Sequence, residues 1–568
     1  MFKRVHKNHL VDIDPDQILL DSSNLPSFDR DQFEGLIERP IPRGTFFLLG
    51  LFFAVIIFVF IGRSGFLQIF SGEYFAARSE SNSLKKVLVP TPRGIIYDRN
   101  KIPLAWSNNI GRSYIKESGL AHLMGYVGYP TQEEVDSSPT TTAIDLIGKT
   151  GVEKKYNDFL RGIDGKKITE VNAKGEIQSE YLYEPGSPGR NLILSLDSRV
   201  TEKFYQYIKS LAFEYKFKAG AGVVMDVKTG EILAMTSYPE YEPEILSKGD
   251  DRQTINQYLN DKNKPFLNRA IAGLYIPGSI LKPIFAVAAL NEKIILPEKQ
   301  IYSKGYISIP NPFFPDKRSI FKDWRAHGYV DMRRALAISS DVYFYAIGGG
   351  YEDQKGLGIY KLGEYARMFG LGSTTNIELD RDGDGNIPTP EWKAENFNGD
   401  KWRVGDTYIS SIGQYGFLVT PIQMVRVASA IATDGKLIRP TVFFRMLFGD
   451  GSSLGQERPI EYTLLNIPEE TFEVIKEGMR RGVTDPDGTA RALNISEVTV
   501  AAKTGTAELG VSKKLVNSWG IGYFPYENPR FAFALVMEKG SRENAVGANL
   551  AIRNLLIWMA ENTPEYMK

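Results

Sequence analysis

The chain of 568 residues contains no cysteine, which excludes disulfide bonds, thiol chemistry and zinc sites built on Cys ligands. It also has no net charge, because 68 Lys and Arg residues balance 68 Asp and Glu residues, so nothing in the composition indicates nucleic-acid binding. We find no convincing internal repeat or low-complexity tract. The length exceeds what one hydrophobic core usually organises, so we expect two or more domains.

Long hydrophobic runs are also scarce, with one exception at residues 44–62 (GTFFLLGLFFAVIIFVFIG). This run carries no charge, and as a helix it would extend roughly 28 Å, about the thickness of the hydrocarbon core of a bilayer. It is too long, and starts too far into the chain, for a cleaved signal peptide, so it predicts a single transmembrane anchor. The flanking arginines favour a cytoplasmic N-terminus; they are Arg30, Arg39 and Arg43 before the run and Arg63 and Arg78 after it.

Three further regions follow from composition and pattern. Residues 1–43 form a polar segment that predicts a disordered cytoplasmic tail. Residues 63–195 have the short strand patterns and Gly-rich loops typical of an elongated, β-rich pedestal. Residues 196–568 carry stronger signals and are interpreted as the main domain.

The main domain begins and ends with strand patterns. Its first helix is capped by Asp197 or Ser198 and has an apolar stripe at Val200, Phe204, Ile208 and Leu211. A hairpin is predicted at residues 221–238, three strands lie within residues 498–538, and a helix at residues 549–561 closes the chain. Strands at both ends of a helical middle predict an antiparallel sheet completed by a long helical insertion.

A serine and a lysine lie one helical turn apart in GLYIPGSILKP, residues 273–283. A lysine three residues after a serine on a helix can reach the hydroxyl and, when neutral, remove its proton. By itself, the pair of Ser279 and Lys282 is weak evidence for a catalytic site, because Ser-x-x-K occurs by chance in most chains of this length. Two further elements follow in order, namely Ser339-Ser340-Asp341 and Lys503-Thr504-Gly505-Thr506. Together, the three elements are the joint signature of penicillin-binding proteins and class A β-lactamases.

With these elements the chain resembles the class B penicillin-binding proteins, and among them the members that act in cell elongation. The resemblance runs from the apolar run to the last predicted helix. Asp341 supports the elongation group, since the wider superfamily usually has asparagine at this position. The other stretches that carry the resemblance are RGIIYDRN (93–100), AHLMGYVG (121–128), GKTGVEKKYNDFLRG (148–162), NRAIAGLYIPGSILKP (268–283), WRAHG (324–328) and the GQ…TP segment (413–421).

The resemblance implies an α+β fold in three parts. These are one N-terminal transmembrane helix, a pedestal domain of the dimerisation type, and a transpeptidase domain with a five-stranded antiparallel sheet flanked by helices, as in serine β-lactamases. It also implies a bacterial inner-membrane protein whose catalytic domain lies in the periplasm. The head of the pedestal is shortened, because only residues 106–120 separate RGIIYDRNKIPLA from AHLMGYVG, where relatives insert a much longer subdomain.

The implied activity is that of a peptidoglycan D,D-transpeptidase, which β-lactams acylate at the same serine. Ser279 would attack the carbonyl of the penultimate D-Ala of a stem peptide with Lys282 as general base, and the amine of a neighbouring stem peptide would then take the acyl group. Ser339 would relay a proton to the leaving nitrogen, and Asp341 would hold Lys282 or a substrate amide. The backbone N–H groups of Ser279 and Thr506 would form the oxyanion hole. No metal or other cofactor is implied.

The third sequence element is implied to bind the substrate. Lys503 would supply positive charge near the substrate carboxylate, while Thr504 and Thr506 would supply hydroxyl donors. Gly505 would let the substrate lie against the strand without an intervening side chain.

The implied partners are peptidoglycan stem peptides, β-lactam antibiotics, a membrane glycosyltransferase of the RodA type and an MreC-like scaffold. Two other functions stay open. One is a D,D-carboxypeptidase or β-lactam hydrolase that uses the same site with water as acceptor, and the other is a non-catalytic penicillin sensor or scaffold. The anchor and the long spacer favour the transpeptidase, because they would hold the site at a set distance from the membrane, as a wall polymer requires.

One residue departs from the family pattern, and one pair of residues raises the question of a metal site. Tyr415 replaces the glycine that members commonly have after the glutamine of the GQ…TP segment. Asp323 and His327 lie where some relatives bind zinc, but the chain has no cysteine to complete such a site. We therefore predict that these two residues form a hydrogen-bonded structural pair.

One further stretch, DRDGDGNIPTPE at residues 380–391, matches the template of a calcium-binding loop. Asp380, Asp382 and Asp384 take template positions 1, 3 and 5, and Glu391 takes position 12. The alternative is a polar surface loop with Asx-turns, because no convincing helix flanks it on both sides.

Overall fold

The computed structural model of the chain describes residues 42–108, 111–138, 141–172, 176–311, 313–314, 316–447 and 459–567, so the tail predicted at residues 1–43 lies almost entirely outside the described residues. The helices are α1 (Arg43–Gly65), α2 (Gly72–Ser83), α3 (Ala121–Met124), α4 (Gln132–Asp136), α5 (Gly151–Lys155), α6 (Asn157–Arg161), α7 (Ser198–Glu214), α8 (Pro243–Lys248), α9 (Arg252–Asn260), α10 (Lys282–Asn291), α11 (Met332–Ala337), α12 (Asp341–Gly349), α13 (Gly358–Met368), α14 (Pro390–Asn396), α15 (Val404–Ser411), α16 (Pro421–Ala432), α17 (Glu469–Thr484) and α18 (Ala548–Asn562). The strands are β1 (Leu84–Val89), β2 (Ile96–Tyr97), β3 (Pro103–Asn108), β4 (Gly111–Tyr114), β5 (Val127–Gly128), β6 (Ile147–Gly148), β7 (Gly165–Val171), β8 (Ile177–Glu184), β9 (Asn191–Leu194), β10 (Ala219–Asp226), β11 (Ile232–Tyr238), β12 (Ile301–Ser303), β13 (Tyr306–Pro310), β14 (Arg318–Lys322), β15 (Gly328–Val330), β16 (Lys436–Ile438), β17 (Phe443–Leu447), β18 (Tyr462–Leu464), β19 (Ala501–Leu509), β20 (Leu515–Phe524) and β21 (Phe531–Ser541).

The chain divides into two compact units, Met1–Val87 with Lys166–Tyr183, and Leu88–Gly165 with Glu184–Lys568. In the first unit, β1, β7 and β8 form a three-stranded sheet, and α1 continues into a π-helical turn at Phe66–Phe70. None of the α1 side chains is buried, and the combined helix is long and apolar enough to cross a membrane. The predicted long apolar helix is confirmed, whereas its role as a membrane anchor and the predicted domain boundaries stay predictions.

The second unit is built on a five-stranded sheet of order β11-β10-β21-β20-β19, in which every neighbouring pair is antiparallel. Successive residues of β10 point to opposite faces, so that Val223 and Val224 belong to two different hydrophobic clusters. Helices α7 and α18 cover one face, and α16 packs on the other. This arrangement confirms the predicted α+β fold, and it leaves β19 as an edge strand.

Helix α7 forms as its sequence predicts. Asp197 is its N-cap, and the side chain accepts hydrogen bonds from the amides of Arg199 at 3.0 Å and Val200 at 3.4 Å. All four residues of the predicted stripe are buried; they are Val200, Phe204, Ile208 and Leu211. The stripe packs against the sheet because residues at this spacing share one helical face.

A second sheet, β17-β9-β2-β3-β4, contains part of the RGIIYDRN segment, and β2 runs parallel to β9. Strands β3 and β4 pair as an antiparallel hairpin in the region where the resemblance implies a shortened head. Nearby, the buried carboxylate of Glu153 binds the Nε atoms of Arg93 and Arg112, each at 2.7 Å. Two guanidinium groups on one carboxylate offset the cost of burying these charges.

Candidate active site

Ser279 lies on a 3-10 turn, Gly278–Leu281, which leads directly into α10. Gly278 has φ +60°, and a Cβ at this position would lie 3.0 Å from the carbonyl oxygen of Thr506. Its amide donates to the carbonyl oxygen of Gly413 at 2.9 Å. A glycine is therefore required at residue 278, where the turn of the candidate nucleophile lies between β19 and the segment of Gly413.

Lys282 is fully buried at the start of α10. Its Nζ donates to the backbone oxygen of Ser339 at 2.8 Å, to Ser339 Oγ at 3.2 Å and to Asp341 Oδ1 at 2.6 Å. The hydroxyl of Ser279, by contrast, makes no hydrogen bond to another described residue, and the residue is only half-buried. The structure thus brings Lys282 to the second sequence element and leaves the Ser279 hydroxyl available to a ligand.

Lys503 approaches the same cluster from β19. Its Nζ donates to Ser339 Oγ at 2.8 Å and to the backbone oxygen of Thr504 at 2.9 Å. Burial lowers the pKa of Lys503 well below its usual range, and the charge of Lys282 adds to this effect. One serine hydroxyl therefore connects two buried lysines, and the lowered pKa makes the Lys503 amine readier to give up its proton.

Asp341 begins α12, and its side chain is 20% exposed. Burial raises the pKa of Asp341, and the ammonium group of Lys282 offsets this effect only in part. Ser340, the residue before it, is the N-cap of α12 and donates through Oγ to Asp323 Oδ2 at 2.9 Å. Asp323 also accepts from the amide of Val342 at 3.0 Å, so it supports the N-terminal turn of α12 from outside the helix.

Asp323 and His327 lie beside each other, with Oδ1 and Nε2 3.4 Å apart and both side chains fully buried. The predicted hydrogen bond is not formed, because Nε2 has no hydrogen-bond partner among the described residues. Burial acts to raise the pKa of Asp323, but the close contact with His327, the hydrogen bond from the amide of Val342 and the charge of Lys282 outweigh burial and lower the pKa to about 2. A carboxylate whose pKa falls on folding stabilises the folded state above its unfolded pKa of about 3.9, and this contribution disappears as the pH falls towards 2. The pair is thus a structural support for α12.

Replacing Asp323 by asparagine should lower the free energy of unfolding by about 2 kcal/mol at neutral pH, because the charged acceptor of α12 is lost. The difference in the free energy of unfolding between wild type and Asp323→Asn should shrink as the pH falls from 5 to 2. Thermal unfolding midpoints across this range would measure it, with the exposed Asp316→Asn as matched control. An equal difference at every pH would contradict the assignment.

Thr489 is a site residue that the sequence analysis missed. Thr504 Oγ1 donates to Thr489 Oγ1 at 2.7 Å, and the amide of Thr489 donates to the backbone oxygen of Ala337 at 3.1 Å. Thr489 therefore joins the third sequence element to the end of α11, just before the second element. It lies in a polar turn, DPDGTA, whose composition indicates only a loop, so no signal in the sequence marked it.

Gly505 and Thr506 complete the edge of β19. A Cβ at Gly505 would lie 2.9 Å from the carbonyl oxygen of Pro277 and 2.8 Å from Cγ2 of Ile280. A side chain at Gly505 would thus collide with the turn that carries Ser279, so packing alone requires glycine here. That a substrate lies against the strand at this residue stays a prediction. Thr506 is exposed, and Thr504 is half-buried.

The proposed calcium-loop carboxylates are bound to protein groups. Asp382 Oδ2 accepts from the amides of Thr375 at 2.5 Å and Asn376 at 2.9 Å, and Asp380 Oδ1 accepts from the amide of Gly151 at 3.1 Å. Within the part of the chain that the structure describes, no three His, Asp or Glu residues form a group that could hold a metal ion. The convergent carboxylates of a calcium loop, which would include Asp384 and Glu391, are therefore not found there.

Comparisons with known proteins agree with the geometry of the site. Residues 220–555 match the family described as penicillin binding protein transpeptidase domain, and residues 104–194 match the penicillin-binding protein dimerisation domain. The peptidoglycan D,D-transpeptidase MrdA of Haemophilus influenzae is 31% identical over 481 residues, which cover 80% of this chain and 70% of that protein.

Solved structures give the same result. The penicillin-binding protein PBP2 of Helicobacter pylori, in a complex with MreC, superimposes with a TM-score of 0.71 at 26% identity, covering 84% of this chain and 99% of that one. A chain of a peptidoglycan synthase complex that coordinates polymerization and crosslinking has a TM-score of 0.71 at 26% identity, covering 93% and 99%. The transpeptidase-domain match alone spans more than half of the sequence. The chain therefore belongs to the penicillin-binding family of peptidoglycan D,D-transpeptidases.

Proposed function

We propose that this protein is a serine D,D-transpeptidase that cross-links peptidoglycan stem peptides during cell elongation. One observation supports this assignment most strongly: the hydroxyl of Ser339 lies 3.2 Å from the amine of Lys282 and 2.8 Å from that of Lys503, beside the turn of Ser279. Such a chain of amine, hydroxyl and amine can carry the proton that acyl transfer must move twice.

In the first half-reaction, Lys282 in its neutral form takes the proton of Ser279, and Oγ bonds to the carbonyl carbon of the penultimate D-Ala. The peptide C–N bond then breaks, and the terminal D-Ala leaves after its nitrogen receives a proton through Ser339. The backbone N–H groups of Ser279 and Thr506 bind the developing oxyanion, and the loss of one such donor typically costs about 3 kcal/mol of transition-state stabilisation.

In the second half-reaction, the amine of a neighbouring stem peptide attacks the acyl carbon, and Ser279 regains its proton as the cross-link forms. Lys503, Thr504 and Thr506 bind the carboxylate end of the donor peptide. The free edge of β19 suits this role, because an extended peptide can add to an exposed strand through backbone hydrogen bonds. A β-lactam would acylate Ser279 by the same route.

The proposal extends to location and partners. The helix α1 would anchor the chain in the cytoplasmic membrane, with the N-terminus in the cytoplasm and the site in the periplasm. A polymerase of the RodA type and an MreC-like scaffold are the proposed partners. Support comes from the H. pylori relative, whose structure contains MreC, and from the relative found in a peptidoglycan synthase complex.

Labelling of the full chain in detergent with a fluorescent penicillin tests the function. We expect one covalent adduct that persists for hours and that prior treatment with unlabelled penicillin prevents. An adduct that decays within minutes would instead indicate a hydrolase or carboxypeptidase. Absence of any adduct would reject the enzyme and favour a non-catalytic scaffold.

A further inference from the structure

Tyr415 adopts a backbone conformation that side chains of its size rarely tolerate. Its φ is +57°, in the left-handed region that favours glycine. It belongs to the turn of residues 413–416, where Gly413 and Gly416 also have positive φ, +77° and +91°. A strained backbone of this kind persists only where the surrounding structure holds it in place.

Three aromatic residues surround the Tyr415 ring, and we call them the aromatic cage: Trp392, Phe397 and Trp402. Their ring centroids lie 6.1, 6.0 and 5.7 Å from that of Tyr415, and the Phe397 ring stacks at an interplanar angle of 12°. The Nζ of Lys393 lies 5.9 Å from the centroid of the Tyr415 ring. Ring pairs at these separations attract each other beyond the effect of burial alone, and a cation near the ring adds to this.

The cage is itself well supported. Lys393 is buried, and its Nζ donates to Asp406 at 2.7 Å and pairs with Asp400 at 2.9 Å. Asp406 also accepts from the amide of Arg403 at the start of α15. A Cβ at Gly416 would lie 2.5 Å from the Trp392 ring, so the turn rests directly on the cage.

The turn that contains Tyr415 also contacts the turn that carries the nucleophile. The carbonyl oxygen of Gly413 accepts the amide hydrogen bond of Gly278, the residue before Ser279, at 2.9 Å. A Cβ at Gly413 would lie 2.0 Å from the carbonyl oxygen of Gly278, so the two backbones touch without a side chain between them. A shift of one turn is therefore transmitted directly to the other.

We propose that Tyr415 is a positioning residue for Ser279. The aromatic cage holds Tyr415 in the left-handed conformation, this conformation sets the direction of the Gly413 carbonyl, and the carbonyl fixes the Gly278 amide next to the nucleophile. This inference rests on the proposed role of Ser279. Tyr415 acts through the backbone and touches no reacting atom, so its loss should slow acylation and leave the affinity for the acylating ligand nearly unchanged.

The test compares Tyr415→Gly with Tyr415→Phe in the full chain in detergent. Glycine relieves the backbone strain but removes the ring, so we expect the maximal rate constant of acylation by penicillin to fall about ten-fold, because small misplacement of a reacting group is costly. The dissociation constant of the preceding non-covalent complex should change less than about two-fold. The Tyr415→Phe variant retains the stacked ring and should be acylated at nearly the wild-type rate.

Amide hydrogen exchange provides a readout that does not depend on activity. In Tyr415→Gly, the peptide covering residues 273–283 should exchange faster, because the bond from Gly278 to Gly413 is no longer held. If wild type failed to react with penicillin, the proposed function would be rejected, while faster exchange in this peptide would still support the role of Tyr415.

Two further variants complete the design. Glu352→Gly, at an exposed position that also has positive φ (+54°), is the control for relief of backbone strain and should change neither readout. Phe397→Ala serves as the substitute test if Tyr415→Gly does not fold. It removes a half-exposed ring of the aromatic cage and should produce the changes expected of Tyr415→Gly, to a smaller degree. Unchanged acylation and unchanged exchange in the folded variants would overturn the proposal.

Discussion

Replacing Ser279 by alanine should abolish covalent labelling by penicillin while leaving the fold intact. The acyl group needs the hydroxyl oxygen, and the nearest alternative, Ser339, is buried and hydrogen-bonded to Lys282 and Lys503. The Ser279 side chain is half-buried, and its hydroxyl has no partner among the described residues, so the free energy of unfolding should change by less than about 1 kcal/mol.

Intact-mass measurement after incubation with penicillin is the decisive assay for this variant. Wild type should gain the mass of one ligand, and Ser279→Ala should gain none, with thermal unfolding midpoints within a few degrees of each other. Ser373→Ala, at an exposed serine, is the matched control and should label normally. A residual adduct in Ser279→Ala would place the nucleophile at another residue.

The second large effect concerns Lys282. The Lys282→Met variant keeps much of the side-chain volume but removes the amine, so we expect the second-order rate constant of acylation to fall about 10³-fold, within the range of general-base catalysis. The change also leaves Asp341 without its partner at 2.6 Å. Because Asp341 is 20% exposed, the cost should be about 2 kcal/mol, less than for a fully buried pair.

A double variant separates the two consequences of losing Lys282. In Lys282→Met with Asp341→Asn, the unpaired carboxylate becomes a neutral amide, so stability should return towards wild type while acylation stays slow. Stopped-flow acylation and thermal unfolding of the single and double variants would measure both effects. Recovery of the acylation rate in the double variant would show that the single variant had only disturbed the structure, and Lys282 would lose its role as base.

The sequence was most informative where function and structure depend on neighbouring residues. The apolar run of α1, the stripe of α7 and the spacing of Ser279 and Lys282 are local patterns, and each of them predicted its element. The order of the three sequence elements and the resemblance they carry predicted that distant segments, including β19, meet at one site. The antiparallel five-stranded sheet was predicted from the order of the elements along the chain. Strand patterns lie at both ends of the domain, and they can form one sheet only if the two ends pair with each other.

The parts that could not be predicted depend on contacts between distant residues. Lys282 bonds to Ser339 and Asp341, which lie more than fifty residues away. No local spacing contains that information, so only the resemblance to the family predicted that Asp341 could hold Lys282. Thr489 joins the site through a turn of ordinary composition. The calcium-loop template likewise carries no information on the backbone amides that bind its carboxylates, which are Gly151 for Asp380 and Thr375 and Asn376 for Asp382.

The close contact between the nucleophile turn and its two neighbours also limits how this protein could evolve under antibiotic selection. At Gly505, Gly278 and Gly413, any added side chain would collide with backbone of the site itself, at 2.9, 3.0 and 2.0 Å respectively. A substitution at these positions that hindered a drug would displace Ser279 and so damage wall synthesis as well. Resistance that preserves fitness is therefore expected at positions around the site whose side chains face solvent and do not bind the substrate.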